Sequence, residues 1–102
     1  MTSFDFNKCY LEEAEMQVFE AFDSEVAAKY GRQVRAVELS NTEYDRRYQR
    51  MAEARNMKPP PSHLRIFPGY LVVRRLGRTN QYETWMPDHA FEDCYRSSRD
   101  VA

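Results

Sequence analysis

The stretch Phe67-Pro68-Gly69-Tyr70-Leu71-Val72-Val73-Arg74-Arg75-Leu76 runs on as Gly77-Arg78-Thr79-Asn80-Gln81-Tyr82-Glu83-Thr84-Trp85-Met86-Pro87. It holds most of the dense apolar sequence, two of the three glycines and the only tryptophan. Tyr70 to Leu76 is nearly continuous apolar sequence up to Arg74-Arg75 and reads as a strand. Gly77 to Asn80 supplies a four-residue loop. Gln81 to Met86 alternates, with Tyr82, Thr84 and Met86 on one side and Gln81, Glu83 and Trp85 on the other, as a strand does. Pro68-Gly69 matches the type II turn pattern, so a strand over His63–Phe67 should turn there into the central one. Pro87-Asp88 closes the module, with Asp88 as N-cap of a short helical turn from His89 to Cys94.

Upstream, Lys58-Pro59-Pro60-Pro61 cannot continue a helix, because proline lacks the amide and clashes with the preceding turn. It reads as a stiff extended connector. Before it, Ser40-Asn41-Thr42-Glu43 matches a capping box and predicts a helix over about 41–57. Tyr44, Tyr48, Met51 and Ala52 share one face of that helix, and Arg46, Arg47 and Arg50 the other. Gln33 to Leu39 is a short strand whose alternation breaks at Ala36-Val37. Burial of both faces, or a bulge, explains that break. Residues 8–30 place Leu11, Ala14, Val18, Ala21, Phe22 and Val26 at three- and four-residue steps, which predicts a long amphipathic helix. Asn7 caps its start, and Gly31 follows its last periodic residue. Residues 96–102 read as a frayed polar tail.

The expected fold is therefore α+β. A long N-terminal helix and a second helix pack on a mostly antiparallel sheet of three to four strands, in one domain.

Composition narrows the function. With 102 residues, 42% of them hydrophobic and 30% charged, the chain fits a small globular domain. No apolar run approaches the ~18–20 residues that span a membrane, and the N-terminus, with Asp5, carries no secretory pattern. The expectation is a cytoplasmic protein with Cys9 and Cys94 reduced. His63, His89, Cys9 and Cys94 have no metal-ligand spacing, so no metal is expected. Nucleophile-elbow, phosphate-loop and dinucleotide motifs are lacking, and Cys94 lies among acidic residues that do not activate a thiol. No catalytic or cofactor-binding residue is expected, and the protein reads as not an enzyme.

Charge is uneven. The net charge is −1, but residues 1–30 sum to −5 and the remainder to +4. Arg74, Arg75 and Arg78 cluster at the central strand end and its loop, beside Tyr82, Glu83 and Trp85. Glu12, Glu13 and Glu20 mark the acidic N-terminal segment. These nine residues are the candidate partner-binding positions, on either the acidic helix or the basic hairpin. The leading reading is a non-enzymatic protein that occupies a surface on another protein, since exposed aromatic and Arg side chains dominate such contacts. The alternative is a nucleic-acid binder in which Tyr70, Tyr82 and Trp85 stack bases. A virion structural role, as a homo-oligomer, is the third.

Segment 67–95 resembles the C-terminal part of a group of small phage and prophage proteins of unassigned function. Those end in a P-G-D-[WY]-[IV]-[IV] strand, a Gly-containing loop, a Tyr-containing strand, P-D-x-F-E and a final Tyr. Here Pro68-Gly69-Tyr70-Leu71-Val72-Val73, Tyr82, Pro87-Asp88, Phe91-Glu92 and Tyr95 carry the match, with Tyr70 directly after Gly69 where that group has Asp. The resemblance implies a phage origin and a small β-containing module. It implies a partner in the bacterial host, with inhibition of a defence or regulatory complex as the natural form. It transfers no catalytic residue.

Overall fold

The computed structural model describes residues 10–61 and 65–97. In chain order these form β1 (Gln17–Ala21), α1 (Ser24–Tyr30), β2 (Gln33–Glu38), α2 (Asn41–Met51), β3 (Gly69–Arg74), β4 (Tyr82–Pro87), α3 (Asp88–Glu92) and β5 (Tyr95–Ser97), after a short 3-10 turn at Glu13–Glu15. The strands make one sheet in the order β4-β3-β2-β1-β5, every neighbouring pair antiparallel.

The α+β class holds, but the long N-terminal helix does not. Its expected span contains a strand, a helix of seven residues and a 3-10 turn. Of the positions that look like a helical stripe, Val18 and Ala21 fall within β1, three residues apart and therefore on opposite faces of the sheet. Phe19 and Ala21 turn to one face of the sheet, while Val18 pairs with Arg35 and Glu20 with Gln33. Pairing on both sides of β1, with β2 and with β5, fixes the backbone as strand, and tertiary pairing overrides local helical patterning. The helix starts only at Asp23, whose carboxylate accepts from the amides of Glu25 (2.8 Å) and Val26 (3.4 Å). Gly31 ends it at φ 100°, as the sequence suggests, donating its amide to Ala27. The proposed cap at Asn7 lies outside the described residues.

Three further expectations change. The sheet has five strands, because β1 and β5 join it. Arg96 and Ser97 belong to β5 rather than to a tail. The strand expected over His63–Phe67 lies partly outside the described residues, and residues 65–67 are not strand. The second helix begins where the capping box places it, with Ser40 Oγ accepting from Glu43 N and Glu43 Oε1 from Ser40 N. It ends at Met51 and gives way to turns.

Pro68-Gly69 is not a turn. Gly69 opens β3 directly, and its smallness answers a different need: a Cβ there would sit 2.3 Å from the Trp85 ring and 2.4 Å from Met86 O. Trp85 lies over that gap and donates its indole N–H to Leu39 O at 2.7 Å.

The break in β2 is explained by burial of both sheet faces. Val34 and Ala36 enter one core with Val72, Phe91 and Tyr95, while Val37 and Leu39 enter the other with Met16, Tyr44, Leu71 and Val73. α2 covers the second of these faces. α1 and α3 supply Val26 and Phe91 to the first, where Phe91 stacks on Tyr70 (centroids 4.2 Å) and on Tyr95 (5.1 Å) and meets Phe19 edge-on (4.9 Å). Such ring pairs each add about 0.5–1.5 kcal/mol beyond their buried area.

The second core holds a buried ion pair. Arg47 is fully buried and Glu83 is 2% exposed. Arg47 donates to both Glu83 oxygens (2.8 and 3.2 Å) and to Leu11 O (2.8 Å). Arg55 donates to Glu83 Oε2 from the other side. The expected placement of Arg47 on the exposed basic face of α2 is thus corrected. It lies about 60° round the helix from Tyr44 and shares the buried side. The main chain of Glu83 also pairs outward, its amide to Asn56 O (2.9 Å) and its carbonyl to Lys58 N (2.8 Å), so residues 56–58 shield that part of the β4 edge.

Two stability tests follow from these contacts. Glu83→Ala leaves the fully buried Arg47 guanidinium without its carboxylate and should lower unfolding free energy by about 3–5 kcal/mol in denaturant titration. Gly69→Ala should cost about 1–3 kcal/mol, because the new methyl meets backbone that cannot withdraw; an unchanged midpoint for Gly69→Ala would contradict the close approach of Trp85.

Candidate functional site

Charge in the described structure is segregated along β3. At its C-terminal end an open groove of ≈520 Å³ is lined by Lys29, Tyr30, Asn56, Lys58, Arg74, Arg75, Asn80, Tyr82 and Thr84. Four of these are cationic and none is acidic. At the other end, Glu38, Glu43, Asp88 and Glu92 line a smaller cleft of ≈300 Å³ beside Gly69 and Tyr70, with no cation among its lining residues.

The groove is built from four separate segments. α1 ends in Lys29-Tyr30, where the stop at Gly31 presents both side chains. The 56–58 segment brings Lys58, held by its amide to Glu83 O and by its carbonyl, which accepts from the Tyr44 hydroxyl. β3 ends in Arg74. Its guanidinium lies 3.8 Å from the Tyr30 ring centroid and 6.0 Å from that of Tyr95, and it reaches Met86 Sδ at 3.1 Å. Its Nε is buried without a hydrogen-bond partner. Arg75 takes the left-handed backbone conformation, φ 55°, rare for a residue with a side chain. Its amide bonds Tyr30 O at 3.1 Å, and its guanidinium lies 5.4 Å from the Tyr82 ring centroid. Lys58 Nζ stands 5.3 Å from the same centroid.

Aromatic faces thus position the cations, and carboxylates do not. Among the described residues no carboxylate makes a salt bridge to Lys29, Lys58, Arg74 or Arg75, whereas Arg47 and Arg55 are paired to Glu83. Cation–π contact holds a guanidinium in place but leaves its charge uncancelled. The field of four such charges against low-dielectric walls is focused into the groove. Tyr30 registers it: Lys29 at its phenol, with Arg74 adding to the effect against burial, holds it below the usual tyrosine range. Tyr95 is pushed the other way, chiefly by burial.

The candidates from sequence are divided by the fold. Arg74, Arg75 and Tyr82 come together in the groove. Tyr82 is only 8% exposed and serves as a floor for the cations. Arg78 is exposed in the β3–β4 loop, outside the groove lining. Glu83 is an internal counter-ion and presents nothing to a partner. Trp85 faces the other core, tied to Leu39. It also lines an apolar cleft of ≈460 Å³ with Phe67, Pro68, Pro87, Asp88 and His89. Glu12, Glu13 and Glu20 do not share a helix face: Glu12 is exposed 3.9 Å from Arg55, Glu13 accepts from Gln81 at 2.8 Å, and Glu20 lies in β1. The three glutamates therefore form no acidic helix surface. Tyr70, Tyr82 and Trp85 do not form a platform for stacking bases: Tyr70 is stacked on Phe91, Tyr82 is buried, and Trp85 is tied to Leu39.

Lys29, Tyr30 and Lys58 are the contributors that sequence reasoning missed. They lie in the expected first helix and in the expected connector, and only the pairing of distant segments unites them. Among the described residues no group of three or more His, Cys, Asp or Glu could hold a metal ion, and no helix is long and apolar enough to cross a membrane. Comparison with known proteins gives no match, whether to a family model, a curated relative or a solved structure.

The tyrosine field has a direct readout. A depressed native pKa makes Tyr30 ionisation favour the folded state above the ordinary tyrosine pKa of about 10, a contribution lost as pH falls through the native value. Spectrophotometric titration of the folded protein should show an early phenolate step that Tyr30→Phe removes. The same step surviving in Tyr30→Phe would place the field elsewhere.

Proposed function

We propose that this protein is a small non-enzymatic binding protein that acts by occupying an acidic surface of a host protein, with the cationic groove as its contact surface. The observation carrying this reading is the set of four cations, Lys29, Lys58, Arg74 and Arg75, that no carboxylate of the described structure pairs. Uncompensated charge of one sign costs self-repulsion in the free protein, and a complementary partner relieves it and is steered to it. The resemblance of segment 67–95 to phage proteins supports a partner in a bacterial host and blockade of a defence or regulatory complex. Nucleic acid is the second reading, favoured by the same cations. It is reduced to contacts with phosphates, because the stacking platforms are engaged elsewhere.

Affinity capture from bacterial lysate with the wild type and with the double variant Arg74→Ala/Arg75→Ala tests the reading. The wild type should retain a stoichiometric protein that moderate salt releases, and the double variant, checked for folding, should lose it. Retention of that protein unchanged by the folded double variant would refute the groove as contact surface.

A further inference from the structure

We propose that the groove is also a binding site for a small phosphorylated ligand of nucleotide size, one carrying at least two phosphates, whose occupancy excludes the protein partner. This rests on the reading of the groove as the working surface and specifies a ligand class for it.

Three observations point to that class. The first is charge count. Four cations without carboxylate partners converge on one groove, and each phosphate monoester brings about −1.5 to −2 at neutral pH. Two or three phosphates therefore neutralise the groove, whereas a single carboxylate or monophosphate does not.

The second is size and lining. The groove, ≈520 Å³ in volume, falls within the ~300–1,000 Å³ typical of small-molecule sites. Beside its cations stand Asn56, Asn80 and Thr84, neutral side chains able to donate to and accept from the uncharged part of such a ligand. The four cations are also spread in type. Arg74 and Arg75 are held over Tyr30 and Tyr82, while Lys29 and Lys58, beside the same two rings, are exposed ammonium groups that suit phosphate as point charges.

The third is the charge of everything else. The chain carries −1 in all, so outside the four groove cations it sums to −5. Taken over the whole chain, a long polyanion extending beyond the groove therefore gains no net attraction, and the groove's own field reaches only a Debye length of about 8–10 Å. A ligand confined to the groove stays within that field. The same balance that argues against a nucleic-acid strand argues for a short phosphorylated molecule. The left-handed backbone at Arg75 fits this picture, because strain of that kind gathers where a side chain must be aimed.

Isothermal titration of the full chain at low salt with ATP, AMP, adenosine, tripolyphosphate, oligothymidylates of increasing length and a glutamate-rich peptide tests the proposal. ATP and tripolyphosphate should bind, with ATP roughly tenfold tighter than AMP and adenosine silent. The variants Lys29→Glu and Lys58→Glu, at exposed residues and checked for folding, should each weaken ATP by roughly tenfold or more, with Arg78→Glu unchanged. ATP should displace the glutamate-rich peptide. Adenosine binding as well as ATP would overturn the proposal, as would oligothymidylate affinity that keeps rising with length beyond the groove. Peptide binding with no response to ATP or tripolyphosphate would overturn it while leaving the contact-surface reading intact. Silence from every anion would remove both.

Discussion

The constraint on which the rest of this structure depends is the burial of Glu83 between Arg47 and Arg55. Taking charges out of water costs several kcal/mol per ion, and the cost is offset only when geometry and hydrogen bonding are nearly complete. Completing them requires four parts of the chain at once. α2 must lie across the sheet with Arg47 inward, residue 11 must offer its carbonyl, the turn after α2 must present Arg55, and β4 must hold position 83 toward that face. The backbone of Glu83 then pairs with residues 56 and 58. That pairing protects part of an edge strand; Pro59 ends it, since proline has no amide to continue a ladder. A hydrophobic pair at these positions would stabilise the contact as well but would accept many orientations of α2. The ion pair accepts few.

This internal pairing also decides where charge is left over. Glu83 is consumed inside the fold by two arginines, so it cannot neutralise Lys58 or Arg75, which stand near the ring of its neighbour Tyr82. The groove cations are instead held by tyrosine faces, which orient them without cancelling their field. The acidic cleft at the opposite end of β3 is the counterpart of the same segregation. A net charge near zero therefore conceals two poles, and it is the pole without internal partners that carries the proposed function. The hydrogen bond from Tyr44 to Lys58 O connects the two halves of the design, since the residue that helps seat α2 also places a groove lysine.

The legible parts of the fold were those set by local chemistry. Ser40 and Glu43 mark the start of α2 because a capping box satisfies amides within one turn, and Gly31 marks a helix end because its φ of 100° suits glycine. The two strands around Gly77 to Asn80 are legible because an apolar run and an alternating run flank turn residues. Residues 8–30 look helical because Leu11, Val18, Phe22 and Val26 satisfy a 3.6-residue period by coincidence. Only pairing with β2 and with the much later β5 turns 17–21 into strand. Asp23-Ser24 was the one local sign of a helix beginning inside that span. At the site, Arg74, Arg75 and Tyr82 were visible as a cluster, but Glu83 was assigned to the surface, because nothing in its neighbourhood announces a partner 36 residues earlier. Lys29 and Lys58 carried no signal at all.

The strand order has a consequence for how such a chain comes into being. β1 lies between β2 and β5, and β5 is the last described element. On a ribosome, β1 is made before its neighbour β2, which follows within about a dozen residues. Its other edge then stays bare until residues 95–97 have been synthesised. During that interval Phe19 and Ala21 lack Tyr95 beside them, and an unpaired edge invites a neighbouring chain. The three residues of β5 thus act as a late clasp. A nascent chain halted just short of Tyr95 would hold four of the five strands with the sheet still open on the side that faces other chains.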